Sequence, residues 1–401
     1  MFNIKYKLNN FLVLILLSFL IYFLWLFKLL NDFPWRYVFT DWIINYKGGY
    51  IRRGLLGEIS SNISIIFNLN IKYVFLLIHL LIYSLFHIFF FKFFHEFKRN
   101  YLFYMLCFSP LVFLYPIATF EALARKEIFC ITFFLINCYI SLKTNNRNLI
   151  FFINNLFVII SYLIHEFSIF FINFFYLSYF IFLKKNNLKI KFLEILFIIL
   201  IYIILFFLLM IPVSDEKIIT MINFINERFF TITDSSGAIS WLQRSASSSF
   251  LFLAVNKISL GNVLQNLLFL HFYVIFFFLL YSNKSFKINK FLLILTLIVF
   301  FSPLLLFIVG NDWGRFVYII YNFCLIFTFY SLHGNKNILI DFDKKSKLFT
   351  INNKIKTIAV LLYVSAWSPK LFFYDKFDFF PLVFLISNLF KYTLKYTNII
   401  F

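Results

Sequence analysis

Apolar tracts about as long as a bilayer crossing alternate along this chain with short polar segments. They stand near residues 11–30, 73–91, 101–119, 127–142, 149–165, 167–183, 192–212, 262–281, 291–309, 316–332, 356–372 and 379–395. A helix needs about 20 largely apolar residues to cross the hydrocarbon core. Within each tract the apolar residues run continuously instead of alternating, which predicts helices and not the strands of a barrel. The pattern therefore predicts one all-α integral membrane domain over residues 1–401, a polytopic bundle of about twelve transmembrane helices. Its first tract, Phe11 to Leu30, is too long for a signal-peptide core and no small-residue cleavage site follows, so it reads as an uncleaved first span.

Composition agrees: 62% of residues are hydrophobic and 24% aromatic, where a soluble domain is nearer half apolar. The abundance of Phe, Ile, Asn and Lys suggests an AT-rich gene, so the 66 Phe carry no functional signal of their own. Cys107, Cys130, Cys138 and Cys324 lie in apolar tracts without metal or disulfide spacing and read as small core residues.

Charge sorts the connecting segments into two alternating sets. One holds Lys5 and Lys7, Lys92 to Arg99, Lys143 and Arg147, "KKNNLKIK" at 184–191, "NKSFKINK" at 283–290, the lysines of 336–356, and Lys391 with Lys395. It carries 22 basic and 4 acidic residues, against 15 and 13 in the other set. Excess Lys and Arg marks the cytoplasmic side, which predicts both termini inside. The net charge of +20 is then a topology signal with some attraction to anionic membrane lipid, and it calls for no nucleic acid. No internal repeat is visible.

The predicted outer segments hold nearly all the unusual residues. Four of nine glycines fall in "DWIINYKGGYIRRGLLGE", residues 41–58, inside the outer loop 31–72. Gly48 and Gly49 permit positive φ, and Gly54 and Gly57 share a face if 50–60 is helical. Arg52 and Arg53 at that helix start suit a phosphate, and Asp41 can accept a proton or orient an arginine. The plainer reading is a re-entrant helix whose arginines reach lipid phosphates. In "GNDWGR", 310–315, Asp312 and Arg315 are spaced to pair, and Trp313 is a sugar-stacking ring or a membrane-interface anchor.

His165 and Glu166 interrupt 35 otherwise uncharged residues, 149–183. Two full crossings need about 40, so the pair is expected to be recessed. His165 is a candidate base or phosphate ligand, with Glu166 setting its tautomer or pairing with an arginine; a polar knot between helices is the alternative. Arg125 and Lys126 in "EALARKE" are basic on the predicted outer side, for a polyanionic ligand or for local pairing with Glu121 or Glu127. The long outer loop 213–261 predicts an amphipathic helix near 216–230 and a stretch at 245–256 dipping back into the membrane. Its Trp241, Gln243 and Arg244 can meet a sugar or a phosphate, or form a plain surface loop. Asp341 and Asp343 alone have Asp-x-Asp spacing, in a lysine-rich cytoplasmic segment.

These features resemble two groups of membrane enzymes. An acid, Asp41, in the first outer loop followed by "GGYIRRGLLGE" is similar to the layout of GT-C-type glycosyltransferases. The twelve spans, the Phe and Ile content and the outer arginines without a metal motif resemble the O-antigen polymerases. That resemblance implies a metal-independent, cofactor-free enzyme of the bacterial inner membrane. Such an enzyme joins polyprenyl-pyrophosphate-linked oligosaccharides at the periplasmic face, with a chain-length regulator protein as a partner. It implies phosphate binding by Arg52, Arg53, Arg125, Arg244 and Arg315 and a catalytic role for His165, and the GT-C layout implies Asp41 as a catalytic acid. The residues themselves add Glu166 beside His165 as a catalytic candidate and Asp312, Trp313 and Trp241 as candidate sugar contacts. The alternatives are a transferase using a polyprenyl-phosphate sugar, or a flippase for the same lipids. Many polymerases carry two large late outer loops, and here there is one.

Overall fold

Apolar tracts become helices throughout the computed structural model, which describes residues 4–30, 33, 37–118, 122–211, 213–233, 237–242, 269–282, 290–310, 312–334, 353–369 and 378–379. In chain order the helices are α1 (Ile4–Leu30), α2 (Tyr37–Trp42), α3 (Leu55–Ile66), α4 (Ile71–Phe94), α5 (Tyr101–Cys107), α6 (Tyr115–Ala118), α7 (Glu127–Lys143), α8 (Arg147–Ile164), α9 (Ile172–Lys185), α10 (Phe192–Met210), α11 (Asp215–Arg228), α12 (Phe272–Ser282), α13 (Lys290–Phe301), α14 (Leu306–Val309), α15 (Trp313–Leu332) and α16 (Asn353–Ser365). Among the described residues six segments are long and apolar enough to cross a membrane: Phe11–Lys28, Ile71–Phe94, Arg147–Ile164, Phe192–Met210, Phe291–Ile308 and Trp313–Leu332. The protein is a helical membrane protein.

Burial distinguishes those segments. In α15 94% of the residues are buried, so it is the central post; in α10 only 17% are, so it faces lipid. A helix apolar on all sides belongs in a core or in a bilayer, and these two show the two cases. Helices α4, α8 and α15 pack around α7. The Asn-rich connections cap helices: Asn70, Asn100 and Asn146 accept from the amides of Lys72, Phe103 and Leu149, satisfying donors that a helix start leaves free.

Three expected spans differ. The stretch 101–119 is not one helix. It ends at Cys107, turns through Ser109–Leu114 and resumes at Tyr115. Pro110 has no amide to continue the ladder. The central post accommodates the break: Tyr321 Oη donates to Leu106 O at 2.7 Å and Asn322 Nδ2 to Leu111 O at 2.8 Å. The stretch 291–309 passes through a 3-10 turn at Ser302–Leu305, where Pro303 falls. The stretch 356–372 ends as helix at Ser365. Trp367–Ser368 then pairs antiparallel with Asp378–Phe379 as a two-residue ladder, β1 with β2, and Pro369 disfavours helix in the residue before it. The expected span at 379–395 and the 245–256 dip lie outside the described residues.

The first loop folds into the bundle. Val38, Phe39, Trp42, Ile43, Ile44 and Ile51 are all buried, and the Trp42 ring packs on Phe75 and Phe129. Gly57 makes this possible: a Cβ there would overlap the Ile44 carbonyl oxygen, so α3 crosses the returning chain at backbone contact. Amphipathic α11 covers the same loop, burying Ile218, Met221, Ile222 and Ile225.

Candidate functional site

Three segments far apart in sequence meet where the returning first loop touches the first turn of α7 and the corner between α8 and α9. Arg53 is at the centre. Its Nε lies 2.8 Å from both Glu166 carboxylate oxygens, and Nη2 lies 2.6 Å from Oε1. Nη1 lies 3.6 Å from Asp41 Oδ1. Lys126 Nζ approaches the same Asp41 oxygen at 3.7 Å and donates to the Arg53 carbonyl at 2.9 Å. Asp41, Lys126 and His165 are all buried.

Backbone strain frames the cluster. Arg53 has φ 67° and Ala124 φ 63°, a left-handed region that costs a residue with a Cβ roughly 1–3 kcal/mol. The Ala124 carbonyl is held by Trp42 Nε1 at 2.7 Å. Left-handed backbone at Ala124 immediately precedes Arg125 and Lys126, and at Arg53 it immediately precedes the turn into α3.

A second group adjoins the first. Arg315, in the first turn of α15, lies 2.8 Å from Asp312 Oδ2 and 3.0 Å from Glu127 Oε1. The Asp312 pairing follows the i,i+3 spacing; Glu127, expected against Arg125 or Lys126, faces Arg315. Trp313 is buried, and its Nε1 donates to the carbonyls of Phe307 and Gly310. It clamps the turn, where a sugar-stacking or membrane-interface role would need an accessible ring.

Electrostatics fix the charge states. Burial pushes the Asp41 carboxyl up, but Lys126 and Arg53 more than offset it, holding the group below the ordinary carboxylate range. Burial and Arg53 oppose each other at Glu166 in the same way, with the same outcome. His165 is driven well below 6.5, first by burial and then by Arg53, Arg315 and Lys126, so it is neutral at pH 7. The Phe167 amide points at His165 Nδ1 at 3.4 Å. Glu166 is 3.4 Å from the same nitrogen but gives both oxygens to Arg53 at shorter range. It serves the arginine first and the His165 tautomer at most weakly.

The other expected residues fall around this centre. Arg52 Nη2 donates to the Leu242 carbonyl at 3.0 Å, and Thr40 Oγ1 accepts from the Ala238 amide at 2.9 Å. Segment 237–242, with the half-buried Trp241, is thereby fastened over the first loop. Arg125 is buried, with its guanidinium 4.7 Å from the Tyr37 ring centre. Arg244 lies outside the described residues.

Sequence reasoning gave Lys126 a polyanionic ligand or a local pairing, gave Glu127 only a pairing role, and passed over Tyr22 and Tyr115. Buried atoms with no hydrogen-bond partner among the described residues include Asp41 Oδ1, Glu127 Oε1 and Oε2, His165 Nε2, Arg315 Nε, Tyr22 Oη and Tyr115 Oη. Each such atom costs about 1–3 kcal/mol. A usable signal for Lys126 and Glu127 was present: three consecutive charges at the mouth of an apolar tract. Nothing in the sequence set the two tyrosines apart from the other 22.

No family model, curated protein or solved structure matches this chain. The class defined by its own geometry is a polytopic helical membrane protein with a buried, multiply charged cluster at one end of the bundle.

Proposed function

We propose that the chain is a membrane glycosyltransferase that joins polyprenyl-pyrophosphate-linked oligosaccharides at the outer face of the bacterial cytoplasmic membrane. This is a surface-polysaccharide polymerase of the O-antigen type. The full reading has about twelve spans, both termini cytoplasmic and a GT-C-like cavity opening outward. The observation that carries it is Arg53: mostly enclosed, left-handed, and surrounded by Glu166, Asp41 and Lys126.

Each central guanidinium already holds a carboxylate, so phosphate docking is an exchange of partners. The pyrophosphate takes Glu166's place on Arg53, assisted by Lys126 and Arg52. When the anomeric C–O bond to pyrophosphate breaks, the electron pair goes to the leaving group, whose charge these cations stabilise. The acceptor hydroxyl attacks the anomeric carbon and gives its proton to a released carboxylate, Asp41 or Glu166, or to neutral His165. Lipid tails stay in the bilayer, which brings both substrates to one depth.

A transferase using a polyprenyl-phosphate sugar is the second reading, favoured by Asp41 in the loop directly after α1. A flippase is a weaker fit, because this cluster gathers at one end of the bundle and such transporters place ionisable groups near mid-membrane. The test is deletion of the gene followed by electrophoresis of surface glycan. One repeat unit per core is expected of a lost polymerase, and none of a lost transferase or flippase. Complementation with Arg53→Ala should fail although the protein inserts; a normal ladder of chain lengths would sink the proposal.

A further inference from the structure

The ion pairs around Arg53 do not account for a second set of polar groups next to them. Among the described residues, Glu127 is 1% exposed and neither of its oxygens receives a hydrogen bond; Arg315 Nη1 is close but not aligned to donate. Tyr115 is fully buried and Tyr22 is 2% exposed, and the hydroxyls of both lack a partner among the described residues. So does Arg315 Nε. These groups come from α1, α6, α7 and α15, and they are neighbours. The Tyr115 and Tyr318 rings stack at 5.2 Å and the Tyr22 and Tyr83 rings meet at 4.4 Å. Glu127 lies within electrostatic range of Tyr83, Tyr115 and Tyr318, and Tyr318 within range of Tyr22.

We propose that Tyr22, Tyr115, Glu127 and Arg315 form a seat for the hydroxyl groups of a saccharide, separate from the phosphate-holding cations. The chemistry selects the ligand class. A carboxylate with two unfilled acceptor positions needs O–H or N–H donors and repels a phosphate. The guanidinium Nε needs an acceptor, and phenols can do either. A sugar ring presents O–H groups that donate and accept at its rim, and C–H faces that lie well on tyrosine rings. Two functions are thereby divided between adjoining groups: Arg53 and its neighbours read charge, and the Glu127 group reads hydroxyls. The inference rests on the glycosyltransferase reading, and its test separates the two.

Wild-type chain in lipid nanodiscs is titrated with two probes: bare undecaprenyl pyrophosphate, and the polyprenyl-pyrophosphate saccharide that accumulates in the deletion strain. Tyr115→Phe and Tyr22→Phe each remove one unpartnered hydroxyl, so their thermal stability should equal or exceed wild type. Each should weaken apparent affinity for the saccharide lipid by roughly fivefold to tenfold, the scale of one hydrogen bond. Affinity for the bare lipid should stay within about twofold, below the effect of one hydrogen bond. Equal weakening toward both probes, or no weakening, overturns the saccharide seat and leaves water as the partner of those hydroxyls. Tyrosine-dependent saccharide binding with no response to the bare lipid would overturn the pyrophosphate reading alone. No response of wild type to either probe overturns both.

Discussion

Two ends of the same bundle handle their ions in opposite ways. Away from the Arg53 cluster, Glu194 takes Arg147 Nε at 2.6 Å, the Tyr179 hydroxyl at 3.0 Å and the Lys191 amide at 3.1 Å. Glu96 is bound by Lys143 on one oxygen and His333 on the other. Both carboxylates are saturated, and each joins helix ends that must meet: Glu194 ties α10 to α8, and Glu96 ties the segment after α4 to the ends of α7 and α15. Around Arg53 and Arg315, by contrast, cations and acids crowd together with carboxylate, guanidinium and imidazole atoms unpartnered among the described residues. Two residues there adopt left-handed backbone. Saturated ion pairs fasten. A buried set with open positions costs stability and is retained where something else completes it.

Arg53 offers the strongest way to break that contrast. Arg53→Ala leaves the buried Asp41 and the half-buried Glu166 short of a cation, which should cost about 3 kcal/mol. Loss of a donor to the leaving group should lower product formation by roughly 100-fold to 1,000-fold. Arg53→Gly removes the same side chain but relieves the left-handed backbone, so it should be more stable than the Ala variant by about 1 kcal/mol. Chemical denaturation in detergent and glycan ladders measure the two quantities separately. Equal inactivity at unequal stability marks a functional cation. Activity that recovers with the stability would make Arg53 a fastener like Arg147.

Acid sensitivity is the next largest effect. His165 is neutral in the folded chain and titrates well below the unfolded value of 6.5. The unfolded state therefore binds a proton that the folded state does not, and stability falls as pH drops below about 6.5, by roughly 1.4 kcal/mol per unit. Asp41 and Glu166, whose folded values are depressed, add a further loss below about pH 4. All three act in the same direction. Melting temperature followed from pH 7.5 to 5 should decline in wild type and decline less in His165→Gln. Parallel curves for the two proteins would show that His165 is not buried as a neutral group.

Much of this architecture was legible, and the exceptions have physical causes. Continuous apolar tracts at bilayer length gave α1, α4, α8, α10 and α15 with small boundary differences, because in lipid the backbone has few alternatives to helix. Asp215–Arg228 was visible from its amphipathic period. Hydropathy could not see the break at Pro110, since Leu106, Cys107 and Phe108 before it and Leu111, Val112 and Phe113 after it are all apolar. Glycine scarcity pointed at 41–58 correctly because Gly57 touches backbone. Which cation meets which acid was not legible. Arg53 reaches Glu166 across 113 positions, and local spacing favours i,i+3 and i,i+4 partners such as Asp312 and Arg315. The two tyrosines were hidden because a phenol's role depends on whether anything faces its hydroxyl, which only the packed bundle decides.

The smallest expected effect sharpens the comparison from the saturated end. Lys143 is about half exposed, with a side-chain accessibility of 48%, and its ammonium caps one oxygen of Glu96. Burial pushes the Glu96 carboxyl up, and Lys143 and His333 more than reverse that, lowering it to about 2. This pairing stabilises the fold above the ordinary value of 4.5 and is lost as pH falls toward 2. Water and salt screen so exposed a partner, so Lys143→Ala should cost less than about 1 kcal/mol at pH 7. His333 still holds the other oxygen, and glycan length should not change. Acid unfolding should begin at a higher pH in the variant, because Glu96 then protonates earlier. A variant that kept its stability but lost product would mean that the saturated end also takes part in function, and the division of labour drawn between the two ends would fail.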